Sequence, residues 1–253
     1  MSTVLQAPHP QQRRLPREAR TEARQQRAAA QAVWLLGGAV FAFLVSFVFA
    51  DVISLQRDFF YGLYALSVGV FIAAWARHTG LRRRQLLVRN WRWGLVLGVL
   101  GAGVMVVTVL RVEDATARPG GVELAAAIIW RGIVYGVTDG VLLSVFPILA
   151  VFAAFTGTRL RAHLLGTIVI GLLALVASMG MTATYHLGYA DFRSEKLRKP
   201  IAGDVIWSAP TLLTLSPLGA PIAHAGLHVG AVVHSYETDT FLPPHPDGNG
   251  VKQ

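Results

Sequence analysis

The chain alternates between long apolar runs and short polar or basic intervals. Residues 32–50, 59–76, 93–110 and 164–185 are each close to the roughly 20 residues that a helix needs to cross about 30 Å of hydrocarbon. A longer apolar region covers 122–155, and a last one, interrupted by Pro210, Pro217 and Pro221, covers 201–236. As one helix, residues 122–155 would reach about 51 Å, well beyond a bilayer core, so a break is expected near Thr138, Asp139 and Gly140. Against the break, Gly132, Gly136 and Gly140 recur at every fourth position, a small-residue stripe suited to close packing of an unbroken helix. The final region divides into two short or partly re-entrant helices, the second starting near Pro221, since proline is tolerated in a first helical turn. The pattern predicts an all-α fold, a polytopic transmembrane helix bundle of about eight membrane segments.

Composition agrees. With 53% hydrophobic residues, 15% charged residues and a mean hydropathy of +0.49 over 253 residues, the chain is too apolar for a soluble domain of its length. Its net charge of +9 is almost all arginine and falls between the apolar runs. That points to membrane orientation and anionic headgroups, not to nucleic acid. With no cysteine, the chain has no disulfides, no thiolate catalysis and no Cys-ligated zinc. Residues 1–30 read as a basic, disordered cytoplasmic tail that could become a surface helix from about Arg17. Residues 31–236 form the transmembrane domain, opening with a signal anchor, and 237–253 a polar C-terminal tail expected on the cytoplasmic side. Arg77, Arg82, Arg83, Arg84, Arg89 and Arg92 place their loop, and with it the N-terminus, in the cytoplasm. An arginine-rich, lysine-poor composition suits a bacterial plasma membrane protein.

A polar band interrupts the apolar regions: Glu123, Arg131 and Asp139, then His186, then His224, His228 and His234. Such groups are costly in hydrocarbon unless they face one another or water, which makes them site candidates. His224 and His228, four residues apart, share a helix face, as two ligands of one metal would require. His186 closes the preceding span, where it could reach the same depth. The three imidazoles could hold zinc, act as base and oxyanion donors, or simply hydrogen-bond to neighbouring helices. Haem would require two imidazoles on opposite sides of a flat cavity. Arg131 is expected to snorkel or to pair with Glu123 or Asp139.

Trp130-Arg131-Gly132, His186 in Tyr185-His186-Leu187, and Pro221 to His228 with its two histidines resemble the three motifs of the CPBP family, the CAAX-protease and bacteriocin-processing membrane endopeptidases. The resemblance covers about 122–233. It implies a helical bundle in which a glutamate and the second-motif histidine activate water while the third motif holds the oxyanion. Arg131, His186 and His224 match, but the family's paired glutamates fall on Ala126 and Ala127, its phenylalanine on Thr182, and its final Asn or Asp on His228. Glu123, one turn earlier, could replace the lost carboxylate; Asp139 could do so if the chain folds back at the break. The candidate catalytic residues are therefore Glu123, Arg131, His186, His224 and His228, and the candidate zinc ligands His186, His224 and His228. The resemblance implies either a variant peptidase or a non-hydrolytic membrane factor, with membrane lipids and a membrane-bound peptide or lipidated substrate as partners. A surviving hydrolytic centre needs Glu123 or Asp139 within about 5 Å of His186 or His224. The alternatives are a transporter or assembly factor built on the buried Arg, Asp and His, favoured by the break at Asp139, or a His-ligated metal or haem protein.

Overall fold

The structure, a computed structural model, describes residues 16–81, 88, 90–238 and 240–242. The described residues contain no strand and form seven helices. These are α1 (Arg17–Ser46, prolonged by a π-helical segment Phe47–Val52), α2 (Arg57–His78), α3 (Trp91–Val112), α4 (Gly121–Ala154), α5 (Leu164–Leu187), α6 (Arg198–Thr214) and α7 (Gly219–His234). Five of them, α1 to α5, are long and apolar enough to cross a membrane. The protein is an all-α, multi-pass membrane bundle, but it does not have the eight segments expected.

The difference lies in α4. No break occurs at Thr138, Asp139 and Gly140, and Gly121–Ala154 runs on as 34 helical residues. The apolar stretch of α4 is 78% buried, against 22% to 33% in the other four long helices, so α4 is the axis around which the rest pack. Val122 and Glu123 are exposed, so its first turn extends beyond the packed interior and accommodates the excess length.

Two π-helical segments, Ile128–Val134 and Gly140–Val145, carry α4 past its irregularities. The second has a clear cause. Pro147 has no N–H to give to the Leu143 carbonyl four residues earlier, and the Ser178 hydroxyl of α5 donates to that carbonyl instead, at 2.8 Å. The π register then turns the following residues relative to an unbroken α-helix.

The connections fix the topology. Arg27 donates to the Thr156 carbonyl and Asn90 to the Thr214 carbonyl, which gathers the start of α1, the end of α4, the start of α3 and the end of α6 on one face. Ser46 donates to the Tyr185 carbonyl, Arg193 pairs with Asp51, and Thr116 N–H donates to His234, which defines the opposite face. As the seven helices run alternately between these two faces of the bundle, the start of α1 and the end of α7 lie on opposite faces. Residues 17–30, expected in an irregular tail able to become helical, belong to α1. Residues 1–15 and 243–253 lie outside the described residues.

The glycine stripe is the seam that seats α7. A Cβ at Gly132 would meet Val229 at 2.7 Å, one at Gly136 would meet Ala225 Cα at 2.7 Å, and one at Gly140 would meet Pro221 Cα at 2.5 Å. The pairings advance in opposite directions along the two helices, so α4 and α7 are antiparallel and nearly in backbone contact. On its other side α7 packs as closely on α3, where Gly226 meets Ala102. Backbones this close hold the side chains beside the seam in a fixed register.

Candidate functional site

The seam brings Asp139 of α4 against the histidines of α7. Asp139, His224 and His228 are 2%, 2% and 4% exposed, and each offers one donor atom such that all three atoms lie within 4.8 Å of one another. Asp139 Oδ2 is 3.4 Å from His228 Nε2, without the alignment of a hydrogen bond. The two imidazoles, one turn apart, are parallel to within 5° with centroids 5.6 Å apart. Asp139 Oδ1, His224 Nδ1 and both ring nitrogens of His228 have no hydrogen-bond partner. Leaving such atoms buried and unsatisfied costs about 1–3 kcal/mol each, which makes the cluster a site candidate.

These side chains line a cavity of about 360 Å³, within the range of small-molecule sites. His186 lines it too. Its Nδ1 donates to the Thr182 carbonyl at 2.8 Å, which fixes the tautomer and leaves Nε2 with a lone pair. The remaining wall is largely apolar and includes Met105, Ile206, Leu227 and Phe192. Lys199, in the first turn of α6, contributes the cation. Lys199 and Thr240 also place the opening on the face away from the start of α1.

Surrounding groups hold the imidazoles in place. Tyr135, one turn before Asp139, meets His228 edge-on with centroids 4.7 Å apart. Its hydroxyl is 2.9 Å from that of Tyr185, which accepts from Tyr189 at 2.7 Å. Behind His224, the Trp207 ring lies at 4.4 Å, and its indole N–H donates to Asp204 Oδ1 at 2.9 Å. The same oxygen accepts from Thr182 at 2.9 Å and lies 3.1 Å from the hydroxyls of Ser178 and Ser208, so a fully buried carboxylate ties α5 and α6 together beneath the cavity.

The sequence candidates thus divide. His186, His224 and His228 share one cavity, as expected, and Asp139 joins them. Asp139 reaches them without any fold-back, because the register of the α4–α7 seam already aims it at α7. Glu123 is exposed in the first turn of α4, about 24 Å of helical rise before Asp139, and does not substitute for the lost carboxylate. Arg131 does not line the cavity either, and it pairs with neither Glu123 nor Asp139. Its Nε and Nη2 donate to the two carboxylate oxygens of Asp58, both at 2.8 Å, and its guanidinium lies 5.0 Å from the Tyr236 ring centroid. Arg131 therefore clamps the start of α2 to α4 and to the segment after α7. His234 donates to the Glu113 carbonyl at 3.1 Å and anchors the end of α7.

Sequence reading missed Asp58, Tyr135, Trp207 and Asp204. Asp58 gives no sequence signal as a partner for Arg131, since 73 residues separate them. Tyr135 did carry one, standing four residues before Asp139 and so on the same helix face.

Zinc and haem fit this geometry differently. Asp139, His224 and His228 can converge on one ion. Two parallel imidazoles 5.6 Å apart on one helix face cannot flank a porphyrin, so the haem reading does not fit. The transporter reading loses the interrupted helix that favoured it, while the buried Asp139, His224 and His228 on which it also drew remain. No family model, no curated protein and no solved structure matches the chain, so the CPBP resemblance rests on the motif residues alone.

Proposed function

We propose that the protein is a membrane-embedded hydrolase of the CPBP kind whose catalytic carboxylate has moved to Asp139. The observation that carries this reading is the carboxylate of Asp139 standing 3.4 Å from His228 Nε2 in the wall of an apolar cavity. The separation from His224 falls inside the limit of about 5 Å that general-base catalysis requires. In the proposed reaction a water between Asp139 and His228 gives up a proton to this pair as its oxygen attacks a peptide carbonyl. The proton returns to the leaving amine when the C–N bond breaks. His224, on the same cavity, is the donor offered to the oxyanion, while the free Nε2 lone pair of His186 can accept a proton from the water or the substrate. Arg131, which the family places at its centre, has here a structural part.

The substrate class follows from the walls. A largely apolar cavity with a single lysine suits a membrane-bound peptide or a lipidated one, presented within the bilayer. The face holding the start of α1 also carries Arg77, Arg92, Arg159 and Arg161. On the positive-inside rule that face is cytoplasmic, in a bacterial plasma membrane on this reading, and the cavity opens on the outer side.

The test uses purified protein in lipid nanodiscs, given a library of apolar and lipidated peptides and read by mass spectrometry. Wild type is expected to cleave a subset, with Asp139→Asn and His228→Ala at least about a hundredfold slower and Glu123→Gln unchanged. Cleavage that survives Asp139→Asn, or a wild type inert toward the whole library, overturns the reading.

A further inference from the structure

We propose that Asp139, His224 and His228 together bind one divalent transition-metal cation of the zinc class. The inference stands on the geometry of the three side chains and holds whether or not the centre hydrolyses peptides.

The donor set is one carboxylate oxygen and two imidazole nitrogens, the borderline ligands that zinc-class ions favour in the absence of thiolates. Zinc bonds of about 2.0–2.2 Å in a tetrahedron put ligand atoms a little over 3 Å apart. Asp139 Oδ2 and His228 Nε2 already stand at 3.4 Å, and the whole set fits within 4.8 Å. Binding therefore requires the donor atoms to draw in from within 4.8 Å to the spacing of a tetrahedron. The second observation is the set of open imidazole nitrogens. His224 Nδ1 and both nitrogens of His228 are buried and unbonded beside an equally unbonded Asp139 Oδ1. Asp204 also leaves one oxygen open, but among the described residues no imidazole stands unbonded beside it, so it lacks the converging donor set found at Asp139.

Three protein ligands beside a cavity leave a fourth position for water or substrate, the arrangement of a catalytic rather than a closed structural site. His186 lines the same cavity and can take or approach that position. An ion held by Asp139, His224 and His228 would supply Lewis-acid chemistry at the cavity wall, with Asp139 and His228 as its ligands. The glycine seam matters here because it fixes donors from two helices without a flexible loop.

The test is metal binding by the purified full chain in detergent, stripped with a chelator and titrated with Zn²⁺ or Co²⁺. One equivalent per chain is expected, with the visible absorption of tetrahedral cobalt. Asp139→Ala and His228→Ala are expected to weaken binding at least about tenfold. His163→Ala, exposed and away from the cavity, should match wild type. Asp139→Asn and His228→Gln serve if the alanine variants fail to fold, and Zn²⁺ should raise the melting temperature of wild type but not theirs. Sub-stoichiometric binding by folded wild type, or binding indifferent to Asp139 and His228, overturns the inference. The two proposals fail separately: cleavage by a wild type that binds no ion rejects the metal and keeps the hydrolase, while one bound ion with no cleavage does the reverse.

Discussion

Gly136 of α4 and Ala225 of α7 approach so closely that a Cβ on the glycine would stand 2.7 Å from the Ala225 Cα. The contact lies one turn from Asp139 on α4 and directly beside His224 on α7, so it sets how the carboxylate meets the imidazoles. Gly136→Leu is expected to force the helices apart and cost about 1–3 kcal/mol or more, read as a lower melting temperature in detergent. Gly69→Ala, with open space around its position, should be neutral within about 1 kcal/mol. If Gly136→Leu melts like wild type, the seam is not where the structure has it.

The Arg131–Asp58 pair should behave as a clamp and not as part of the reaction. Arg131 is 13% and Asp58 38% exposed on their side chains, so solvent screens the pair in part. Asp58→Ala is expected to cost about 1–2 kcal/mol of stability. The double exchange Asp58→Arg with Arg131→Asp should recover part of the loss, and the cavity chemistry should survive in whatever fraction remains folded. A folded Asp58→Ala protein that has lost the activity of Asp139 would assign Arg131 a chemical role after all.

Asp204 holds the wall behind His224. Asp204→Leu strands the Thr182 hydroxyl and the Trp207 indole N–H, and should lower stability by about 2 kcal/mol or more. Asp204→Asn keeps an oxygen acceptor and should lose much less. The check is thermal unfolding followed by Trp fluorescence, with equal melting of the two variants as the opposing result.

Because the chain has no cysteine, its topology can be read by single-cysteine labelling. Seven traversals put Glu22→Cys and Arg159→Cys on one face and Ala117→Cys and Glu195→Cys on the other. All four positions are exposed. A membrane-impermeant thiol reagent should label the two pairs from opposite sides of sealed vesicles. An eight-segment chain would put residue 195 with residue 22 instead.

Much of this was legible in the pattern of residues. Apolar runs of the right length gave α1, α2, α3 and α5, and Pro221 marked the start of α7 within a turn. The question of one helix or two at α4 was posed correctly but answered the wrong way, because length alone ignored that a central helix can extend past the bilayer. The glycines at 132, 136 and 140 were the better signal, since a close helix partner needs an unbroken backbone opposite it. Spacing also paired His224 with His228. It could not show that Asp139 faces them, because that depends on the register between two helices and on the π turns that rotate α4. Nor could it find Asp58 for Arg131, since an ion pair between distant segments leaves no local mark.

The central claim is the register that sets Asp139 beside His224 and His228, and a disulfide tests it most directly. Gly132 and Val229 are opposed across the seam, a Cβ on the glycine standing 3.2 Å from the Val229 Cα. In the cysteine-free chain, Gly132→Cys with Val229→Cys should cross-link under mild oxidation in membranes, while Gly132→Cys with Ala225→Cys, one turn out of register, should not. Cross-linking of the second pair in preference to the first would place Asp139 away from both histidines and contradict the account.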